Sequence, residues 1–389
     1  MISLNRTLGE LISSAAVRRA GSGEYPILSM TMRHGLVEQA DKFKKRIASA
    51  DTAQYKVVRR GQLVVGFPID EGVLSFQDLH EEAIVSPAYD IWDLLEPEAV
   101  SREYLERYLR SPRALSYYAG KLQGSTARRR SLPRPVFLAL PVVLPDLAEQ
   151  RAVVALLDQV DALRAKRREA IALLDDLAQS VFLDMFGDPL VNPNGLQMSR
   201  LGDMGNLDRG VSKHRPRNDP SLLGGVHPLI QTGDVASAGG YIEKYTSTYS
   251  DIGLAQSKMW PKGTLCITIA ANIAKTGILK FDSCFPDSVV GFTSNPATVE
   301  YVRIWLSFLQ KTLEASAPEF AQKNINLAIL RNLPIPRPSV ADIEAFAGRV
   351  VAVESQKRLH RTHLATLDEL FESLQQRAFA GQLWDHEAA

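Results

Sequence analysis

The chain has little cysteine: only Cys266 and Cys284 occur in 389 residues, with no C-x-x-C spacing. That pattern excludes a zinc ribbon and a disulfide scaffold and fits a reducing cytoplasm. Long apolar runs are missing too. No stretch of about 18 apolar residues exists, so neither a membrane span nor a membrane partner is expected. The opening Met1-Ile2-Ser3-Leu4-Asn5-Arg6 lacks the basic and then apolar layout of a signal peptide. Catalytic signatures are absent as well. There is no G-x-G-x-x-G or G-x-x-x-x-G-K-[ST] phosphate loop and no G-x-S-x-G elbow. His360 and His363 share a helix face, but no third ligand lies near them in sequence, so they read as polar packing and not as metal ligands.

A large charge of one sign is also missing: 45 basic side chains face 44 acidic ones, a net +1. The distribution is more informative than the sum. Residues 1–145 carry +4, residues 146–190 carry −4, residues 191–338 carry +4 and residues 339–389 carry −3. Two mildly basic blocks therefore alternate with two acidic ones.

The acidic blocks are copies of each other at an offset of 193 residues. Leu140-Pro141 matches Leu333-Pro334, and Pro145 matches Pro338. Leu174-Asp175 matches Leu367-Asp368, Leu177 matches Leu370, Ser180 matches Ser373 and Phe186 matches Phe379. The matches run without a gap, which makes the chain two half-repeats, each a globular block followed by a helix. Proline-rich punctuation opens each copy, and Asp146 and Ser339 then stand where an N-cap is wanted.

Behind those caps the apolar residues recur at alternating steps of three and four. One seam runs Val153, Leu156, Val160, Leu163, Arg167, Ala170, Leu174, Leu177 and Val181. The other runs Val350, Val353, Lys357, His360, Leu364, Leu367, Phe371, Leu374 and Ala378. Each is a coiled-coil seam of about four heptads that turns polar near its middle, and two such helices in one chain pair most simply with each other. A helix of roughly 40 residues spans about 60 Å.

The globular blocks read as mixed α/β. Strands are expected at Gln62–Phe67, Ala83–Ser86, Val226–Thr232, Thr264–Ala270 and Gly277–Phe281, and helices at Arg102–Ala119 and Val299–Leu313. The domain layout is then 1–143, a first globular domain; 144–190, a central helix; 191–338, a second globular domain; and 339–389, a C-terminal helix.

Both blocks carry basic residues on polar loops. Block one has Lys42, Lys44-Lys45-Arg46, Arg59-Arg60 and Arg128-Arg129-Arg130; block two has the run from Arg209 to Arg217. Loop lysine and arginine neutralise phosphates, while Arg, Asn and Gln make bidentate contacts with base edges. By charge and loop placement the DNA-contacting candidates are Arg128, Arg129 and Arg130 in block one, with Lys213, Arg215, Arg217 and Lys275 in block two.

Several stretches together resemble the specificity (S) subunits of type I restriction–modification systems. They include Leu144-Pro145-Asp146-Leu147-Ala148-Glu149-Gln150-Arg151 and Leu163-Arg164-Ala165-Lys166-Arg167-Arg168. Leu173-Leu174-Asp175-Asp176-Leu177 and Phe182-Leu183-Asp184-Met185-Phe186-Gly187-Asp188-Pro189 follow on the same helix. In block two, Thr268-Ile269-Ala270-Ala271-Asn272-Ile273, Phe285-Pro286-Asp287-Ser288-Val289-Val290-Gly291 and Gln322-Lys323-Asn324-Ile325-Asn326-Leu327 resemble the family's target-recognition domains. Val340-Ala341-Asp342-Ile343-Glu344 departs from the family's usual Leu-x-Glu-Gln at the second helix.

The resemblance implies a mixed α/β fold with two globular target-recognition domains separated by two long helices, which form an antiparallel coiled coil with an internal pseudo-repeat. It implies a non-catalytic, cytoplasmic subunit that binds double-stranded DNA at an asymmetric bipartite site, one half per domain. The helices would set the spacer and dock a pair of methyltransferase (modification) subunits, with restriction subunits added. No cofactor is expected on this chain; S-adenosylmethionine, ATP and Mg would belong to partner subunits. Two other readings are a DNA methyltransferase or nuclease, and a coiled-coil assembly protein without a nucleic-acid role. Modification or cleavage by the purified chain would mark the first. Unrestricted heptads without basic loops would mark the second.

Overall fold

The computed structural model describes residues 4–32, 34–39, 52–123, 132–270, 274–315 and 326–383. It divides into two compact units, Met1–Arg167 with His363–Ala389, and Arg168–Thr362. Each unit holds one globular domain and a piece of both long helices, Leu147–Phe186 (the central helix) and Val340–Phe379 (the C-terminal helix).

In the first unit, Ile12–Ser14, Asp90–Leu94, Leu63–Val65 and Leu74–Phe76 pair in that order as a four-stranded antiparallel sheet. Arg18–Arg19, Lys56–Arg59 and Glu82–Val85 form a three-stranded sheet beside a hairpin of Leu28–Thr31 and Gly35–Glu38. The single helix expected over 102–119 is two, Arg102–Leu109 and Pro112–Ala119. Proline cannot continue a helix but suits its first turn, and the Ser111 side chain accepts from the Ala114 amide to cap the new one.

In the second unit, Asn206–Arg209, Val289–Thr293, Leu265–Thr268, Thr276–Leu279 and Gly240–Ile242 order into a five-stranded sheet. All its pairings are antiparallel except the last. The helix Pro296–Ala315 packs Val299, Val302 and Leu306 into the core below it.

The repeat is wider in space than in the sequence matches. Leu4–Thr7 pairs with Pro141–Leu144, and Met198–Arg200 pairs with Pro334–Pro336. Leu8 donates its amide to the Leu140 carbonyl and Leu201 donates to Leu333, again 193 residues apart. Prolines are tolerated here because these are two-stranded ladders with free edges. Tyrosine hydroxyls anchor each ladder to its domain helix: Tyr104 donates to the Val143 carbonyl and Tyr301 to that of Pro336. The far ends of the long helices then close over those tyrosines. Phe379 lies 5.6 Å from the Tyr104 ring and Phe186 lies 5.3 Å from the Tyr301 ring, both edge-on.

Both caps form as expected: the Asp146 carboxylate accepts from the Glu149 amide and the Ser339 hydroxyl from that of Asp342. Along the C-terminal helix every expected seam position is buried or half-buried. The central helix differs. Val153, Leu156, Val160, Arg167, Ala170, Leu174 and Val181 are buried or half-buried as expected, but Leu163 and Leu177 are exposed, and the adjacent row of Leu157, Arg164, Ile171 and Ala178 is buried or half-buried as well. Two adjacent rows of the helix are both largely apolar, so spacing alone does not distinguish them. Packing against the domain and the partner helix chooses the row one residue further on.

Candidate nucleic-acid interface

The five-stranded sheet of the second unit gathers its basic loops by topology. Arg209 ends one strand opposite Val290 at the start of another, Thr268 ends the third opposite Val289, and Thr276 starts the fourth opposite Ile267. The loops after Arg209, before Val289 and between Thr268 and Thr276 therefore leave the same end of the sheet. Lys213, Arg215 and Arg217 lie on the first of these loops and Lys275 on the hairpin loop, so one sheet end carries all four block-two candidates.

Local hydrogen bonds hold the first loop in place. The Gln256 side-chain carbonyl accepts from the Lys213 amide at 2.7 Å and the His214 amide at 3.0 Å. Arg215 donates to the carbonyls of Ser212 at 2.6 Å and His214 at 2.8 Å. The His214 ring meets Asp219, whose carboxyl is held below its usual range, chiefly by the hydroxyl and amide of Ser221.

Asp287 is the centre of this surface. Its carboxylate takes Arg215 at 3.5 Å and is ion-paired with Arg217, and its carbonyl accepts from Arg209 Nε at 2.9 Å. Three arginines, one ending a strand and two on the loop after it, thus converge on one acidic residue at a half-exposed site. Lys213 is exposed. Lys275 is half-buried, its amide donating to the Thr268 hydroxyl at 3.1 Å.

Sequence reasoning named Lys213, Arg215, Arg217 and Lys275 but missed Arg209, Asp287 and Lys258. Lys258 lies 3.9 Å over the Trp260 ring and pairs with Asp208. Arg209 heads the same basic run and was available to a charge count. Nothing in the order of residues ties it to Asp287. Arg128, Arg129 and Arg130 lie outside the described residues, as do Lys42, Lys44, Lys45 and Arg46. In block one, Arg59 and Arg60 pair with Asp93 at 3.8 Å and Glu81 at 3.0 Å.

Residues 193–368 match the family model of the type I restriction modification DNA specificity domain. The type I restriction enzyme EcoBI specificity subunit of Escherichia coli is 23% identical over 277 residues, 62% of this chain. The match spans 58% of that relative's own length, a little over half. A solved structure described as the basis of complex assembly and conformational transition of the type I R-M system is 18% identical, with a TM-score of 0.61 and 98% of each chain covered. The type I restriction–modification S subunit from M. genitalium is 13% identical, with a TM-score of 0.57, covering 97% of this chain and 96% of that one. The sequence matches bear out the resemblance to type I specificity subunits, and the structural ones carry the fold.

Proposed function

Starting from its likeness to the type I restriction–modification specificity subunits, we propose that this chain reads a bipartite double-stranded DNA site, one half per globular domain. The observation that carries the reading is the convergence of Arg209, Lys213, Arg215, Arg217 and Lys275 at one end of the second unit's sheet. An end of a sheet that presents several loops can hold phosphates with some side chains and reach base edges with others. Arg128, Arg129 and Arg130 are proposed for the same work in block one.

The paired long helices set the number of unread base pairs and present docking surfaces to a pair of methyltransferase subunits and to restriction subunits. Adenine methylation and ATP-driven cleavage belong to those partners. This chain supplies address and not chemistry, and needs no S-adenosylmethionine, ATP or Mg of its own. Among the described residues no helix is long and apolar enough to cross a membrane.

Co-expression with the cognate methyltransferase subunit in an unmethylated host, followed by genome-wide modified-base sequencing, tests the reading. A split, asymmetric motif with a fixed unread gap is the expected result. Absence of any motif, with the methyltransferase subunit folded and bound, overturns it.

A further inference from the structure

Each unit contains the same chain of four charges. In the first, Arg107 on the domain helix reaches Asp161 on the central helix at 3.4 Å. Asp161 pairs with Arg164 at 2.7 Å, and Arg164 crosses to Asp368 on the C-terminal helix at 2.6 Å. In the second, Arg303 on the domain helix reaches Glu354 on the C-terminal helix at 3.3 Å. Glu354 pairs with Lys357 at 3.1 Å, and Lys357 crosses to Asp175 on the central helix at 2.6 Å. Asp161 and Glu354, Arg164 and Lys357, and Asp175 and Asp368 are each 193 residues apart, the offset of the repeat. The domain arginines are 196 apart, as expected where the recognition domains have diverged.

The crossing cations, Arg164 and Lys357, occupy seam positions that would otherwise be apolar. The Lys357 side chain is 3% exposed and that of Arg164 is 19% exposed. The Arg164 guanidinium also lies 4.5 Å over the Phe371 ring. Burying such groups costs stability, and their best-attested use is to specify one register of a helix pair.

The two crossings agree on that register. From Arg164 to Asp175 is eleven residues forward on one helix, and from Asp368 to Lys357 is eleven back on the other. A slip of one heptad in one direction would set Lys357 against Arg168 and Arg164 against Arg361, like charges in both places. A slip in the other would set Lys357 against Phe182 and Arg164 against Gln375, leaving each cation its same-helix anion but none from the facing helix. Apolar residues alone tolerate either slip far better, because one heptad returns the same stripe.

We infer that these repeated relays are the register lock of the helix pair, with Arg164 and Lys357 as positioning residues. The domain arginines extend the lock, tying each domain helix to the same acidic side chain that orients the crossing cation. The consequence for DNA, a single gap length, rests on the function proposed above; the register itself does not.

The test uses the full chain with spin labels at Leu183→Cys and Leu359→Cys, both exposed leucines of the second unit. Cys266 and Cys284 are fully buried, so labelling is confined to the new positions. The label sites are offset by about 15 Å along the helix axes, which a heptad slip changes to about 5 or 25 Å. Pulsed dipolar spectroscopy is expected to find one narrow distance in the parent. Arg164→Met with Lys357→Met should add a second population, without loss of helical content. Arg164→Lys with Lys357→Arg should retain the single distance.

A folded methionine variant with only the parent distance overturns the inference. Should the methionine variant not fold, Asp175→Asn with Asp368→Asn removes the anions from more exposed positions, and the same two outcomes apply. Modified-base sequencing of the same variants separates the two proposals. A mixed register with an unchanged gap length counts against the helices as spacer and leaves the lock standing.

Discussion

Arg215 Nη2 lies 3.5 Å from Asp287 Oδ2, so the strongest basic cluster of the second domain already holds an anion supplied by its own chain. Arg217 shares that carboxylate, and Arg209 takes the carbonyl of the same residue. If these arginines meet phosphates, Asp287 competes with every phosphate offered to them. Asp287→Asn keeps the shape of the side chain and removes the competing charge. Affinity for a non-cognate duplex is expected to rise, and the dependence of log affinity on log salt to steepen by about 0.9 for each phosphate gained. Titration by fluorescence anisotropy across a salt series checks this; an unchanged slope removes the arginines from the phosphate-binding surface.

Alanine at Arg215 or Arg217 separates reading from holding. A lost base contact should cost about 1–3 kcal/mol on the cognate site and relax one position of the motif. A lost phosphate contact should weaken cognate and non-cognate DNA alike and flatten the salt slope by about one. The triple alanine variant at Arg128, Arg129 and Arg130 is expected to weaken binding and its salt dependence. Unchanged binding there would remove those residues from the interface.

Two leucines on the central helix provide a stability test of the seam. Leu157 is 1% exposed and packs in the first core, while Leu163 is 45% exposed. Leu157→Ala should cost about 2–5 kcal/mol through lost burial and the space it leaves. Leu163→Ala should stay within about 0.5 kcal/mol of the parent, as surface substitutions do. Urea unfolding of both variants checks the order, and a reversal would return the seam to the row of Leu156 and Leu163.

Cys266 and Cys284 should be chemically silent in the folded chain. Burial pushes both thiols above their ordinary range, so the reactive thiolate is scarce at neutral pH. The sign is that of an acid whose charged form is desolvated: at a given pH these buried thiols ionise less than an unfolded one. A thiol-reactive dye is expected to label the native protein slowly at pH 7 and pH 9 and to label both cysteines on denaturation.

The C-terminal helix shows how much a pattern can carry. Every position of its expected seam, from Val350 through Lys357 to Ala378, is buried or half-buried in the structure. The central helix shows where a pattern runs out. Leu156, Leu163, Ala170 and Leu177 form one row and Leu157, Arg164, Ile171 and Ala178 the row one position on, and spacing cannot choose between them. At the candidate interface the basic run from Arg209 to Arg217 was legible as charge. Its convergence on Asp287, some 70 residues later, was not, because that contact is made by strand pairing between Asn206–Arg209 and Val289–Thr293.

The sequence by itself determined the duplication, the caps at Asp146 and Ser339, two long helices with polar middles and mixed α/β domains before each of them. These follow from local chemistry: proline punctuation, side-chain caps and a repeat of apolar spacing act within a few residues of one another. Only the tertiary structure decided that Arg164 faces Asp368, that Lys357 faces Asp175, and that Tyr104 and Tyr301 lie under Phe379 and Phe186. Those pairings join residues 115 to 275 positions apart. No local preference selects among partners at that distance; burial of the apolar seam and the cost of leaving a charge in it unpaired do.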